Sequence, residues 1–178
     1  SWPSLDGNAR RIIAHRGASG LMPEHSLEVY ALALQQGADV IEPDLVCSRD
    51  NQLVVRHDRN LTRSTDIALR PEFAALQREG DWWVEDLDLA AIAQLRAVQP
   101  FPSRDHQYDR QFRIPTFAAV LLWADTVARE RGAAVTLYPE LKAPGYFARL
   151  GKDPCGRFLS MVRQRHPGRV HVWLQCFE

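Results

Sequence analysis

Strand-like and helix-like runs alternate along this chain, and four of the strand-like runs end in charged residues. Ile12-Ile13-Ala14 leads into His15-Arg16, and Val40-Ile41 into Glu42-Pro43-Asp44. Leu53-Val54-Val55-Arg56 leads into His57-Asp58, and Val135-Thr136-Leu137-Tyr138-Pro139 into Glu140-Leu141-Lys142. Short aliphatic and β-branched runs read as buried strands. A charge without a partner cannot be buried with them, because that costs about 3 kcal/mol or more. The charged residues therefore belong at strand tips. Acids, imidazoles and cations gathered along one edge of a parallel sheet are how an α/β fold builds a site.

The spacing predicts a strand over about 11–15 and then the loop Gly17-Ala18-Ser19-Gly20. Pro23-Glu24-His25-Ser26 opens a helix to about Gln36, with Ser26 as N-cap and Gly37 just past its end. Leu27, Tyr30, Ala31 and Leu34 fall at helical spacing within it. A strand at 39–46, the turn Arg49-Asp50-Asn51 and a strand at 52–57 follow, with no helix between the two. Residues 59–113 are rich in Arg, Asp, Pro and Trp with weak periodicity. They read as an excursion covering one end of the sheet, in which Asp88 caps a short helix reaching Leu95. Pro115-Thr116 opens a helix to about Arg131, closed by Gly132. A strand to Glu140 comes next. A helix near 154–166 has Phe158, Leu159 and Val162 as its apolar face, and Pro167-Gly168 ends it. The last strand runs from Arg169 to Phe177. This order predicts an α/β domain with a parallel sheet. Five strands are counted where a closed (β/α)₈ barrel has eight, so an open sheet with unpaired first and fifth strands is expected.

Composition narrows the function classes. The 22 basic and 22 acidic residues balance to a formal net charge of zero, which gives no basic surface for a nucleic acid. No apolar stretch reaches the roughly 18 residues of a membrane span. Cys47, Cys155 and Cys176 are too few and too scattered for a disulfide framework or a zinc cluster. The opening Ser1-Trp2-Pro3-Ser4 lacks an initiator methionine and an apolar signal core, as either a processed form or an excised piece would.

The strand-tip residues have a common chemistry. Side chains at i and i+2 on a strand share a face, so Glu42 projects with Asp44 and Glu140 with Lys142. Neighbouring carboxylates repel unless a cation or proton lies between them. Three carboxylates without a thiolate suit one hard divalent cation, Ca²⁺ or Mg²⁺. His15 and His57 beside such a site read as a general acid and a general base. Arg16 and Lys142 add positive charge that fits phosphoryl oxygens. A salt bridge from Arg16 to Glu24 is the plainer role for that arginine.

In this order the motifs resemble the glycerophosphodiester phosphodiesterase family. The matching stretches are Ile13-Ala14-His15-Arg16-Gly17-Ala18-Ser19-Gly20, Pro23-Glu24-His25-Ser26, Gly37 to Val46 and Leu53 to Asp58. Ile114-Pro115-Thr116-Phe117, Tyr138 to Lys142 and Leu174-Gln175-Cys176-Phe177 complete them. The resemblance implies a TIM-type (β/α)₈ barrel, of which residues 1–178 supply the N-terminal part, with a capping insertion at about 59–113. It implies metal ligands at Glu42, Asp44 and Glu140, acid/base histidines at His15 and His57, and phosphate contacts from Arg16 and Lys142. The implied reaction cleaves a small glycerophosphodiester to glycerol 3-phosphate and an alcohol such as choline or ethanolamine. The length of the 59–113 segment and the Tyr-Pro-Glu-x-Lys form resemble the periplasmic or secreted branch. A lysophospholipase D or sphingomyelinase-like activity shares these motifs, and an inactive metal-binding barrel fragment would keep them.

Overall fold

A computed structural model describes residues 10–164 and 168–177. Strand β1 (Ile13–His15) is followed by helix α1 (Leu27–Gln35) and strand β2 (Val40–Glu42). Ser26 caps α1 through its hydroxyl, which accepts from Val29 N at 3.2 Å. Gly37 takes a positive φ of 96° just past the C-cap, the backbone shape that glycine adopts without steric cost.

The expected strand at 39–46 is two strands. Proline has no amide hydrogen to donate to a ladder, and Pro43 separates β2 from β3 (Asp44–Cys47). Strand β4 (Leu53–Val55) then folds back antiparallel on β3, pairing Leu45 with Val55 and Cys47 with Leu53. This departs from an all-parallel sheet. A turn as short as Arg49-Asp50-Asn51 can only make a hairpin, since a parallel return needs a crossover of about a dozen residues.

Helix α2 (Leu89–Ile92) is shorter than the reach to Leu95 that the sequence predicts. Asp88 stands at its N-cap but makes no capping bond. Its carboxylate is held by Arg49, whose Nε donates at 2.8 Å, and Asp50 Oδ1 accepts from Leu89 N instead. Helix α3 (Phe117–Arg131) starts just after the expected Pro115-Thr116, with Thr116 as its N-cap, and ends as expected at Gly132, in the left-handed region. Strands β5 (Val135–Leu137) and β6 (Glu140–Leu141) are divided at Tyr138-Pro139.

Helix α4 (Pro144–Arg149) has no counterpart in the sequence reading. Helix α5 (Pro154–Arg163) follows, capped by Asp153. Phe158 is buried, but Leu159 is 43% exposed and does not belong to the apolar face. The expected end at Pro167 lies outside the described residues. Strand β7 (Val170–Val172) is shorter than the run to Phe177, although Gln175 makes one further bridge to Glu140.

The parallel sheet has the order β1-β2-β5-β7, and β3 and β6 extend β2 and β5 past their proline breaks. Helix α1 buries Val29, Tyr30, Ala33 and Leu34, while α3 buries Phe117, Val120, Leu121, Ala124 and Ala128. Phe117 stacks on Phe158 of α5 at 5.2 Å. Full burial of side chains of this size is worth about 1.5–3 kcal/mol each. The stretch 59–113 adds Leu61, Ile67, Val84, Leu87, Ile92 and Leu95 to the same core. It is tied to the loop after β1, where Ser19 O accepts from Gln99 Nε2 at 3.1 Å and from Arg104 Nη1 at 2.9 Å. Among the described residues β1 and β7 are the sheet's edges, and Ile12, just before β1, and Ile13, its first residue, are 61% and 43% exposed.

Candidate active site

Strand register brings the acidic tips together. His15 stands opposite Glu42, and Asp44 opposite Glu140. Gln175, from the segment after β7, donates through Nε2 to Glu42 Oε1 at 2.8 Å and to Glu140 Oε2 at 3.1 Å. Lys142 Nζ lies 2.7 Å from Glu140 Oε1 and 3.6 Å from Asp44 Oδ1. The three carboxylates that the sequence singled out therefore belong to one network. Among the described residues, no three His, Cys, Asp or Glu side chains are gathered as a cation site. The amide of Gln175 and the ammonium of Lys142 lie between the carboxylates.

Asp44 is fully buried. Its Oδ2 meets His25 Nε2 at 2.9 Å and Arg16 Nε at 3.7 Å, while Oδ1 has no hydrogen bond. Burial pushes this carboxyl up, but the hydrogen bond and charge of His25, with Lys142 and His57 behind them, outweigh it. The Asp44 carboxyl lies below its ordinary range. A buried carboxylate oxygen left without a donor is costly unless a cation supplies the missing interaction. Here the Lys142 ammonium, 3.6 Å away, is a cation beside that oxygen, and the three carboxylates are hard-oxygen donors of the kind that Mg²⁺ or Ca²⁺ takes.

His25 is a site residue that spacing alone did not single out. It is buried, with Nδ1 2.8 Å from the Tyr30 hydroxyl. Burial, and then Asp44, Glu24 and Glu42, hold the Tyr30 phenol well above its ordinary pKa, so it stays protonated. The signal was the position of His25 beside Glu24 in the loop before α1, but nothing local says that it reaches Asp44.

The loops that carry the site are strained. Arg16, His25 and Ala143 all take positive φ, at 63°, 62° and 47°, a conformation that L-residues adopt at a cost. Arg16 follows His15, and Ala143 follows Lys142. Gly17 completes the first turn at φ 83°, where an added Cβ would lie 2.6 Å from Val29 Cγ1. Only glycine fits between this turn and α1. Arg16 Nη1 contacts both oxygens of Glu24, at 3.3 and 3.1 Å, so the plainer salt bridge is formed. Its Nε is buried without a hydrogen bond.

His57 stands just past β4. The amide of Arg56 bonds Asp44 O at 2.9 Å and places the turn against β3. The Arg56 guanidinium is buried and donates to Asp58 O, Asn60 O and Ser64 Oγ, and burial lowers its pKa to about 10. His57 Nδ1 is 2.5 Å from Asp58 Oδ1, and Arg63 Nη1 binds Asp58 Oδ2 at 3.1 Å. The His57 hydrogen bond, and with it Arg63, holds the Asp58 carboxyl well below its ordinary range. An ionised carboxylate only accepts, so Nδ1 carries a hydrogen, and whenever the ring holds a single proton Nε2 is its free nitrogen. His57 and Lys142 line one open cleft of about 500 Å³. His15 is exposed at the tip of β1 and does not line that cleft.

Residues 15–178 match the Glycerophosphoryl diester phosphodiesterase family. A Glycerophosphodiester phosphodiesterase of Haemophilus influenzae is 35% identical, over 94% of this chain and 49% of that protein. One of Treponema pallidum is 32% identical, over 87% and 46%. The chain thus spans about half the length of these curated relatives. Among solved structures, a glycerophosphodiester phosphodiesterase from Agrobacterium tumefaciens superposes with a TM-score of 0.60 at 29% identity, over 96% of this chain and 59% of the other. An Oleispira antarctica phosphodiesterase in complex with the product sn-glycerol-3-phosphate superposes with a TM-score of 0.68 at 26% identity, over 95% and 58%.

Proposed function

Because the chain belongs to the glycerophosphoryl diester phosphodiesterase family, we propose that the whole protein hydrolyses a glycerophosphodiester to glycerol 3-phosphate and an alcohol. The observation that carries this is the meeting of Glu42, Asp44, Glu140 and Lys142 in one network, with His57 and Lys142 on one cleft. Glu42, Asp44 and Glu140 would hold one divalent cation, which would neutralise phosphoryl charge and acidify a bound oxygen.

The chain's own groups account for the rest. Lys142 and Arg16 supply positive charge for the phosphoryl oxygens, where charge develops as the diester is attacked. The hydrogen bond from His57 Nδ1 to Asp58 leaves Nε2 to accept the proton of the attacking oxygen. His15 delivers a proton to the departing alkoxide. His57 then releases its proton to solvent and His15 takes one up, so both residues end at their starting protonation.

The full-length protein should turn over glycerophosphocholine and lose that activity on chelation, with recovery on adding Ca²⁺ or Mg²⁺. Unchanged turnover in chelator would refute the metal role. His15→Ala and His57→Ala should each slow turnover by about 10² or more. Near-wild-type rates would refute their assignment.

A further inference from the structure

On the reading that this site cleaves glycerophosphodiesters, we propose that its cleft selects an alcohol moiety carrying negative charge over a cationic headgroup. Beside His57 and Lys142 the cleft is lined by Arg59, Asn60, Arg63 and Trp83. Three of its lining side chains are therefore cations. Its one carboxylate, Asp58, is already shared between His57 and Arg63.

A quaternary ammonium is recognised by the free faces of aromatic rings. The aromatic ring lining this cleft is Trp83, and arginines already lie over it and over the nearby Tyr146 and Phe101. The Arg59 guanidinium sits over Trp83 at 5.0 Å and over Tyr146 at 3.5 Å, and Arg78 sits over Trp83 at 5.4 Å. Phe101 carries Arg63 at 5.0 Å and Arg104 at 4.2 Å. Among the described residues, a choline-like group in this cleft would meet Arg59, Arg63 and Lys142, the last already paired with Glu140, and no carboxylate of the lining but the one that His57 and Arg63 share.

An anionic group meets the opposite. Arg59 is anchored from behind by Glu85, which does not line the cleft and which also accepts from Tyr146 OH at 2.7 Å. Arg63 spends Nη1 on Asp58 and is 41% exposed. Its remaining N–H groups offer the fork that a carboxylate or phosphate accepts.

The test compares three diesters of glycerol phosphate on the full-length protein. One bears choline, one the neutral 3,3-dimethylbutyl isostere and one a 3-carboxypropyl group. The kcat/KM should rise in that order, with about tenfold between the two charged esters at low ionic strength. The ratio should shrink toward one at 1 M salt, where the screening length is about 3 Å. Arg63→Gln should narrow the ratio by about threefold, and Arg63→Lys should keep most of it. A general fall in kcat through Asp58 and His57 would cancel in that ratio. Preference for choline, or a ratio unmoved by Arg63→Gln, would overturn the proposal. No hydrolysis of any of the three esters would instead overturn the diesterase reading beneath it.

Discussion

Tyr30→Phe removes one oxygen from the fully buried chain Tyr30–His25–Asp44. The ring itself is kept, since Tyr30 is fully buried and packs at 5.9 Å from Trp123. What is lost is the 2.8 Å bond at His25 Nδ1. The Asp44 carboxylate can only accept, so His25 Nε2 carries hydrogen toward it. Nδ1 is left with the phenol as its partner, which donates to a neutral ring or accepts from a charged one. Without it a buried polar nitrogen is stranded, at a cost of about 1–3 kcal/mol. That range is about a 5- to 150-fold shift in the unfolding equilibrium. Urea denaturation of the full-length protein should read it as a lower midpoint at unchanged slope. A cycle of Tyr30→Phe with His25→Gln should show coupling of about 0.5–3 kcal/mol, as expected for residues in one network. A loss below about 0.5 kcal/mol, within the range of surface substitutions, or strict additivity of the pair, would refute the claim that Tyr30 holds His25 for Asp44.

Gln175→Leu removes the donor between Glu42 and Glu140, and should destabilise the chelated protein by about 1–3 kcal/mol; added Ca²⁺ or Mg²⁺ should restore more of the denaturation midpoint in the variant than in wild type. Asp58→Asn should lower kcat about 10- to 100-fold by releasing the His57 ring, checked by steady-state turnover. Because the folded Asp58 carboxyl lies below its ordinary range, its ion pairs stabilise the protein above about pH 4, the unfolded carboxyl's pKa. That contribution is lost as pH falls further, so the stability gap between wild type and Asp58→Asn should close in acid. Cys47 is buried, and burial pushes its thiol up to about 11; a thiol reagent at pH 7 should label the exposed Cys155 and Cys176 in the native protein and reach Cys47 only after unfolding.

Legibility in the sequence followed the range of each interaction. The caps at Ser26 and Thr116 and the stop at Gly132 depend on neighbours within a few residues, and were readable locally. The motif residues at the tips were readable because charge cannot enter a strand core unpaired. Leu159 was misplaced because helical spacing does not say which side of α5 meets the sheet. Asp88 looked like a cap, but a cation 39 residues away in sequence holds its carboxylate. Gln175 and His25 are ordinary polar residues until the fold sets them against Glu42, Glu140 and Asp44. The guanidinium–aromatic pairs around Trp83 join segments with no regular period between them.

The order of residues by itself determined that strands and helices alternate, and that acids, imidazoles and cations fall where the strands end, because apolar periodicity and the cost of buried charge act locally. Tertiary structure decided which of those groups share atoms. Pro43 and Pro139 break the strands at the site, β4 turns back on β3, and Gln175 arrives from 133 residues beyond Glu42. Those outcomes rest on through-space distances of about 3 Å between distant segments, and hydrogen bonds and ion pairs of that length exist only once the sheet has set its register.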